Sequence, residues 1–178
     1  FQVGQVFGAP RDTQEAIPNA ADRFDTIETT VGWLSPGITL PAVLYGGAGN
    51  DQFRIYSNKG DIRLEGEDGN DEFIIRAFLL AESGDIQLLA GDGDDTVRYN
   101  INAPVDIDGG AGFDKVTVLG TEGDDAFVIT ADGIFGAGLS INLSNVEEAV
   151  EVDGLEGNDT FFILSTDAGT VTTVIGGA

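Results

Sequence analysis

Six short clusters of glycine and acid stand out in this chain: "YGGAGNDQFRIY" (45–56), "GEDGNDEFII" (66–75), "AGDGDDTVRY" (90–99), "GGAGFDKVTV" (109–118), "GTEGDDAFVI" (120–129) and "GLEGNDTFFI" (154–163). Aligned on their last aspartate, they put Asp51, Asp71, Asp95, Asp114, Asp125 and Asp159 in one column. Gly49, Gly69, Gly93, Gly112, Gly123 and Gly157 form a second column two residues earlier. The chemistry such groups offer is oxygen ligation. Carboxylates and turn carbonyls suit hard cations, and the chain has no His, Cys or Met to supply softer ligands or the usual nucleophile–base pairs. The metals compatible with this set are calcium and, less well, magnesium.

The elements that must position these groups follow from what comes next in each copy. Two residues after each aspartate stands Phe53, Phe73, Val97, Val116, Phe127 or Phe161. Four residues after it stands Ile55, Ile75, Tyr99, Val118, Ile129 or Ile163. Apolar residues at period two directly after a glycine turn predict a short strand with one face buried. A second strand precedes most of the turns, at "DIRL", "DIQL", "VDID", "VEVD" and "VTTVI". Strand, turn, strand, turn is one coil of a solenoid, and self-similarity at this period is the signature of stacked repeats. The predicted fold is therefore all-β, a parallel β-helix or β-roll of about seven coils.

Asp51, Asp71, Asp95 and Asp114 are 20, 24 and 19 residues apart, one full circuit each, whereas Asp125 follows Asp114 by 11. That half-circuit predicts Asp125 on the opposite edge, continuing the turns that end at Asp61, Asp85 and Asp106. Those three are read as turn formers rather than ligands. Glycine recurs because a chain reversing within a few residues needs positive φ, which L side chains tolerate poorly. Aspartate recurs in a stack of about 4.8 Å repeat, where like charges repel unless a cation lies between them. A metal-free alternative is that the aspartates hold turns through Asx hydrogen bonds.

"GGAGND" followed by alternating apolar residues resembles the hemolysin-type, RTX nonapeptide repeat, G-G-x-G-x-D-x-U-x with U a large apolar residue. The resemblance covers roughly residues 44–178. It implies calcium-loaded parallel β-rolls or β-helices in secreted or cell-surface bacterial proteins. It implies Ca²⁺ ligation by Gly47, Gly49 and Asp51, by Gly69 and Asp71, by Gly91, Gly93 and Asp95, and by Gly110, Gly112 and Asp114. Asp125, Gly157 and Asp159 occupy the same motif positions. The pattern is broken by Glu67, Thr121 and Leu155 at the second glycine, by Ala90 at the first, and by Phe113 before the aspartate.

With 31 acidic and 8 basic residues the chain carries a formal charge of −23, which opposes binding to nucleic acid or anionic membranes and leaves cations as the missing partner. No apolar run is long enough to insert in a membrane as a helix. Arg54, Arg63, Arg76 and Arg98 fall on the outward phase of strands, where they offset the acidic surface. The phenylalanines of the motif read as an internal ladder rather than a sugar-stacking platform.

The chain is read as one module over 1–178, with regular calcium-turn coils at 44–129 and 151–178. Residues 8–43 hold four of the five prolines and read as an irregular excursion or cap. A short helix is expected near "DTQEA", with a strand at "DTIETTVGWL" and a return strand at "ITLPAVLY". Residues 130–150 read as either a degenerate corner or a projecting hairpin. "FQVG" reads as a strand that follows a calcium turn and "VIGGA" as the start of another turn, so the expectation is a segment within a tandem array. The functional expectation is a non-enzymatic, calcium-dependent structural module whose coils stack head to tail on adjacent copies. The alternatives are an adhesin acting through the irregular loops and a β-helix polysaccharide lyase or epimerase. Ice binding is disfavoured, because Ala48, Asp68, Asp92, Ala111, Glu122 and Glu156 between the turn glycines supply no threonine file.

Overall fold

The computed structural model describes residues 1–6, 27–29, 32–76, 84–100 and 105–177. Among the described residues there are eighteen strands and no helix. In chain order they are β1 (Gln2–Val3), β2 (Gln5–Val6), β3 (Ile27–Thr29), β4 (Gly32–Leu34), β5 (Ala42–Ala48), β6 (Gln52–Ile55), β7 (Ile62–Asp68), β8 (Glu72–Ile75) and β9 (Ile86–Asp92). They continue as β10 (Thr96–Asn100), β11 (Val105–Ala111), β12 (Lys115–Leu119), β13 (Ala126–Thr130), β14 (Gly133–Gly136), β15 (Leu139–Ser144), β16 (Ala149–Asp153), β17 (Thr160–Ile163) and β18 (Val171–Ile175).

Two long sheets make a β-solenoid of about six turns, one fewer than the turn count suggests. The first sheet runs β1-β6-β8-β10-β12-β16-β18 and is parallel throughout. The second runs β17-β13-β14-β15-β11-β9-β7-β5. Period-two alternation explains the stack: one face of each strand points into the coil and registers with the same position in the next. In the first sheet Phe53, Phe73, Val97, Val116, Val150 and Thr172 form one file. Ile55, Ile75, Tyr99, Val118, Val152 and Val174 form the next. In the second sheet Leu44, Leu64, Leu88 and Ile107 face them. Phe53, Phe73, Ile55, Ile75, Leu64, Leu88 and Val118 are completely buried, and each such side chain contributes about 1.5–3 kcal/mol by leaving water. The Phe53 and Phe73 rings lie stacked with centroids 4.8 Å apart, which is the strand spacing itself.

Within the stretch 130–150, β14 and β15 fold back on β13 as an antiparallel meander that lies in the second sheet rather than projecting from it, and residues 149–150 already belong to β16 of the first sheet. β14 is antiparallel to both β13 and β15, while β15 is parallel to β11. Two-residue links at Ala131–Asp132 and Ala137–Gly138 reverse the chain; φ is +48° at Ala137 and +76° at Gly138, the mirror-image turn that matches strand twist. Beyond the β11–β12 coil the second sheet therefore adds four strands and the first adds two. The second sheet overhangs by that difference of two strands.

Between "DTIETTVGWL" and "ITLPAVLY" the structure differs from expectation. The first stretch is two short strands, β3 and β4, in a small antiparallel sheet with β2 rather than one strand. The return strand begins after Pro41, whose ring removes a backbone donor from the ladder. The "DTQEA" helix falls outside the described residues. β1 pairs in parallel with β6, Phe1 stacks on Phe53 at 5.0 Å and Val3 registers with Ile55, as "FQVG" suggests.

Candidate metal-binding turns

Each Gly–Asp turn links a strand of one sheet to a strand of the other, and the six turns fall in two rows. Turns 46–51, 66–71, 90–95 and 109–114 lead from the second sheet into the first. Turns 120–125 and 154–159 lead from the first sheet into the second. Asp125 is thus on the opposite edge, as its spacing predicts. Asp159 joins it there and leaves the column it shares in sequence with Asp51. Phe161 goes with it, stacking on Phe127 at 5.1 Å rather than continuing the Phe53–Phe73 file. "VEVD" and "VTTVI" lie in the first sheet, not beside "DIRL" and "DIQL". Asp125 does not continue the row of Asp61, Asp85 and Asp106, because β14 and β15 come between β13 and β11.

Within the first row the aspartates form a hydrogen-bonded ladder. The backbone N–H of Asp51 donates to Oδ1 of Asp71 (2.8 Å), that of Asp71 to Oδ1 of Asp95 (2.7 Å), and that of Asp95 to Oδ1 of Asp114 (2.9 Å). In the second row Asp125 N–H donates to Oδ1 of Asp159 (2.9 Å). A charge-assisted bond of this kind contributes about 1.5–3 kcal/mol.

A second ladder runs the other way and escaped the sequence reading. The N–H groups of Asn70, Asp94 and Phe113 donate to the side-chain oxygens of Asn50, Asn70 and Asp94, and that of Asn158 to Asp124. Its signal is legible in retrospect: the position before the ladder aspartate holds Asn or Asp in five of the six copies, Phe113 excepted. Phe113 needs only its N–H there, and its ring is left exposed.

The glycines serve two purposes. At the second position the chain is left-handed, and Glu67 and Leu155 adopt it at φ +74° and +70° despite their side chains. Thr121 does not. Its N–H and hydroxyl both donate to Oδ2 of Asp125 (2.7 and 3.0 Å), an alternative local closure. At the third position Gly69, Gly93 and Gly112 have φ of +136°, +136° and +143°, and a methyl on any of them would land on the carbonyl oxygen of the third glycine one coil back.

The unusual feature is the other carboxylate oxygen. Oδ2 of Asp71, Asp95, Asp114 and Asp159 is buried without a hydrogen-bond partner. The whole residues Asp71, Asp95 and Asp114 are no more than 2% exposed. Desolvation, ahead of repulsion from the neighbouring ladder aspartate, raises all three pKa values above the usual carboxylate range, that of Asp114 to about 6, with Glu147 contributing further repulsion. Asp124, by contrast, is held low by hydrogen bonds from Asn158.

The sign of the pH effect follows. An acid whose folded pKa lies above its unfolded value costs stability once ionised, so the cost is absent below about pH 3.8 and complete above about pH 6. Without a cation, lowering the pH from 7 to 4.5 is expected to stabilise the fold through Asp114 by about 1–2 kcal/mol, solvent beside the turn screening part of the effect. Chemical denaturation in chelator at both pH values checks this.

These turns suit an oxygen-seeking cation in donor type. Each buried turn supplies an unpartnered carboxylate oxygen, and the carbonyls of Gly49, Gly69 and Gly93 point between successive turns. Among the described residues no three acidic, His or Cys side chains converge as a metal-binding group, so the remaining ligands of one ion would be backbone carbonyls and water, a set calcium accepts more readily than magnesium. Asp71, Asp95, Asp114 and Asp159 are the best candidates. Asp51, at the end of its row, is half-buried, and Oδ2 of Asp125 is already taken by Thr121.

Away from the turns, Asp61, Asp85, Asp106 and Arg63 line a shallow groove at the start of β7, β9 and β11, a grouping of acid and arginine that the sequence pattern does not reveal. Asp85 N–H donates to Asp61, Asn142 donates to Asp106 (2.6 Å), and Arg63 pairs with Glu65 at 2.6 Å.

A parallel β-solenoid with hydrogen-bonded aspartate turns on both edges is the class of protein that fold and site define. Comparison with family models, curated proteins and solved structures finds no match for this chain. No helix among the described residues is long and apolar enough to cross a membrane.

Proposed function

We propose that this chain is a calcium-dependent structural module of a large secreted or cell-surface bacterial protein, a rod whose coils stiffen when the turns are neutralised. The observation that carries the reading is the row of buried, unpartnered Oδ2 atoms at Asp71, Asp95, Asp114 and Asp159. A carboxylate so placed is unfavourable as an anion unless a cation or proton meets it. The resemblance to hemolysin-type repeats supports calcium as that cation and an extracellular setting. Calcium supplies, when bound, the positive charge and the open coordination that turn carbonyls complete. The chain's own part is to present one carboxylate oxygen per coil, hold it with the ladder from the neighbouring N–H, and bring coils together only when their charges no longer repel. At the low calcium of a cytoplasm the formal charge of −23 opposes compaction. At extracellular calcium, binding to the folded form alone drives folding. Adjacent copies stacked end to end are the partners this role calls for.

Far-ultraviolet circular dichroism after chelation, titrated with Ca²⁺ and separately with Mg²⁺, tests this. A cooperative gain of β signal and of thermal stability with Ca²⁺ is the expected result. A chelated chain already folded and indifferent to both ions leaves the aspartates as metal-free turn formers.

The enzymatic alternative rests on the groove of Asp61, Asp85, Asp106 and Arg63. A rise in ultraviolet absorbance from unsaturated product on pectate or alginate would favour it. The adhesin alternative rests chiefly on residues 8–43, most of which lie outside the described segments.

A further inference from the structure

The first row of turns ends inside the chain, at a corner that carries no Gly–Asp motif. Ser144 pairs with Asp108 and Ala149 with Lys115, so residues 145–148 stand where the next coil's turn belongs, opposite 109–114. The corner reverses the chain in fewer residues than the turn below it, with Asn145 in the left-handed conformation at φ +48°. It is pinned at both ends. The Asn145 side-chain amide donates to Oδ1 of Asp108 (2.8 Å), and the N–H groups of Glu148 and Ala149 donate to the Asp114 carbonyl (3.1 and 3.3 Å).

This docking aims two oxygens at one place. A methyl built on Gly109 would land between the Asn145 carbonyl oxygen and Oδ2 of Asp114, so both crowd the same small space. The regular turns share that much, since a methyl on Gly66 would meet the Ala90 carbonyl and Oδ2 of Asp71. Glu147 is what the Asp114 turn adds. Its carboxyl lies close enough to that of Asp114 to repel it and, were either protonated, to hydrogen-bond to it. Asp114 is buried and its Oδ2 has no partner. Glu147 is exposed, so the pair can be reached from solvent. Lys115, next in the chain to Asp114, is turned instead to Glu151 at 3.6 Å.

The second row offers a contrast. There the chain meets Oδ2 of Asp125 with two donors from Thr121, whereas at Asp114 it brings up a second acid. Two carboxylates held together beside a backbone carbonyl, with no base between them, are unfavourable in the bare chain and favourable around a hard divalent cation.

We propose that Asp114, Glu147 and the Asn145 carbonyl form a calcium site different in kind from the regular turns, one that draws a carboxylate from each of two coils and fastens the corner 145–148 to the turn below. Ligand charge tunes the calcium affinity of oxygen sites, so this site fills first as calcium rises. Glu147 lies outside the repeat motif, and the spacing of glycine and aspartate therefore does not announce it. The inference rests on the calcium reading of the turns and adds to it a ligand, an order of filling and a role for the irregular corner.

Equilibrium dialysis against radioactive Ca²⁺, with circular dichroism on the same samples, tests it. Glu147→Gln should raise the free calcium at which the first ion binds about tenfold. Asp85→Asn, the same loss of charge at an exposed position on the far end of β9 from its Gly–Asp turn, should leave that concentration unchanged. Glu147→Lys puts an ammonium beside Asp114 in place of an ion, so in chelator it should hold its β signal to a higher temperature than the parent and than Asp85→Lys, which makes the same charge change elsewhere. A parent that binds calcium while Glu147→Gln binds its first ion equally tightly would overturn the site and leave the calcium reading intact. A Glu147→Lys variant no more stable in chelator than Asp85→Lys would overturn the site as well. Calcium bound by neither the parent nor any variant would overturn both readings.

Discussion

Gly93→Ala is expected to lower the stability of the fold by about 2–6 kcal/mol, the sum of roughly 1–3 kcal/mol for forcing an L side chain into this backbone region and roughly 1–3 kcal/mol for displacing a packed backbone. Gly93 has φ +136°, and an added methyl would land on the Gly69 carbonyl oxygen. Neither obstacle can be relieved by a side chain swinging aside, since the obstructing atom belongs to the turn of the coil before. Gly176→Ala is the control: that glycine has no positive φ and a methyl there meets nothing within 4 Å. It should fall within about 0.5 kcal/mol of the parent. Denaturant midpoints for the two variants, measured at one fixed calcium concentration, make the comparison.

Asp95→Asn separates the two ways of neutralising the ladder. The amide keeps an oxygen to accept the N–H of Asp71, now at 2.7 Å from Oδ1, and removes a buried charge that repels Asp71 and Asp94. In chelator at pH 7 the variant should match the parent or exceed it by about 1 kcal/mol. In calcium it should lose a ligand, and the affinity of that turn should fall about tenfold or more, which is about 1.4 kcal/mol of binding. Asp95→Ala orphans the Asp71 N–H as well and should cost about 1–3 kcal/mol in either condition. Thermal melts of the three proteins, with calcium and with chelator, read the crossover. An Asn variant that behaves alike in both conditions would assign the aspartates to turn-holding alone.

Where residue type is dictated by backbone geometry, the sequence was readable. Gly93, like Gly49, Gly69, Gly112 and Gly157, must accept a conformation closed to other residues, and Phe53 with Phe73 and Ile55 with Ile75 must fill two files at the strand spacing, so both columns announce themselves. The edge to which a turn belongs was not readable in the same way. A Gly–Asp turn reverses the chain identically whichever sheet it leaves, so the motif around Asp159 is locally indistinguishable from that around Asp95. The number of strands in between decides the edge. From Asp125 to Asp159 the chain runs β13, β14, β15 and β16, and that count depended on reading 130–150 as a hairpin. Its second reversal uses Ala137–Gly138 at positive φ in place of the Asn-Gly or Asp-Gly pair that most often marks such a turn. The groove at Asp61, Asp85 and Asp106 was hidden for a related reason: these residues recur at full-circuit spacing, but Arg63 joins them only because strand register brings β7 beside β9. The orphaned Oδ2 atoms are a property of three-dimensional burial, and a column of aspartates in the sequence does not distinguish a carboxylate with one satisfied oxygen from one with two.

The dependence of stability on pH, measured once in excess calcium and once in chelator, tests the central claim most directly. With Asp71, Asp95 and Asp114 raised above the usual range in the absence of a cation, and Asp114 at about 6, the chelated protein should gain stability as pH falls from 7 to 4.5. In calcium the ion holds the carboxylates ionised, their folded pKa values drop below the unfolded ones, and the same acidification should lose stability. Opposite slopes are the predicted result; the same slope in both conditions would contradict the account, because it would mean that no cation meets the buried oxygens.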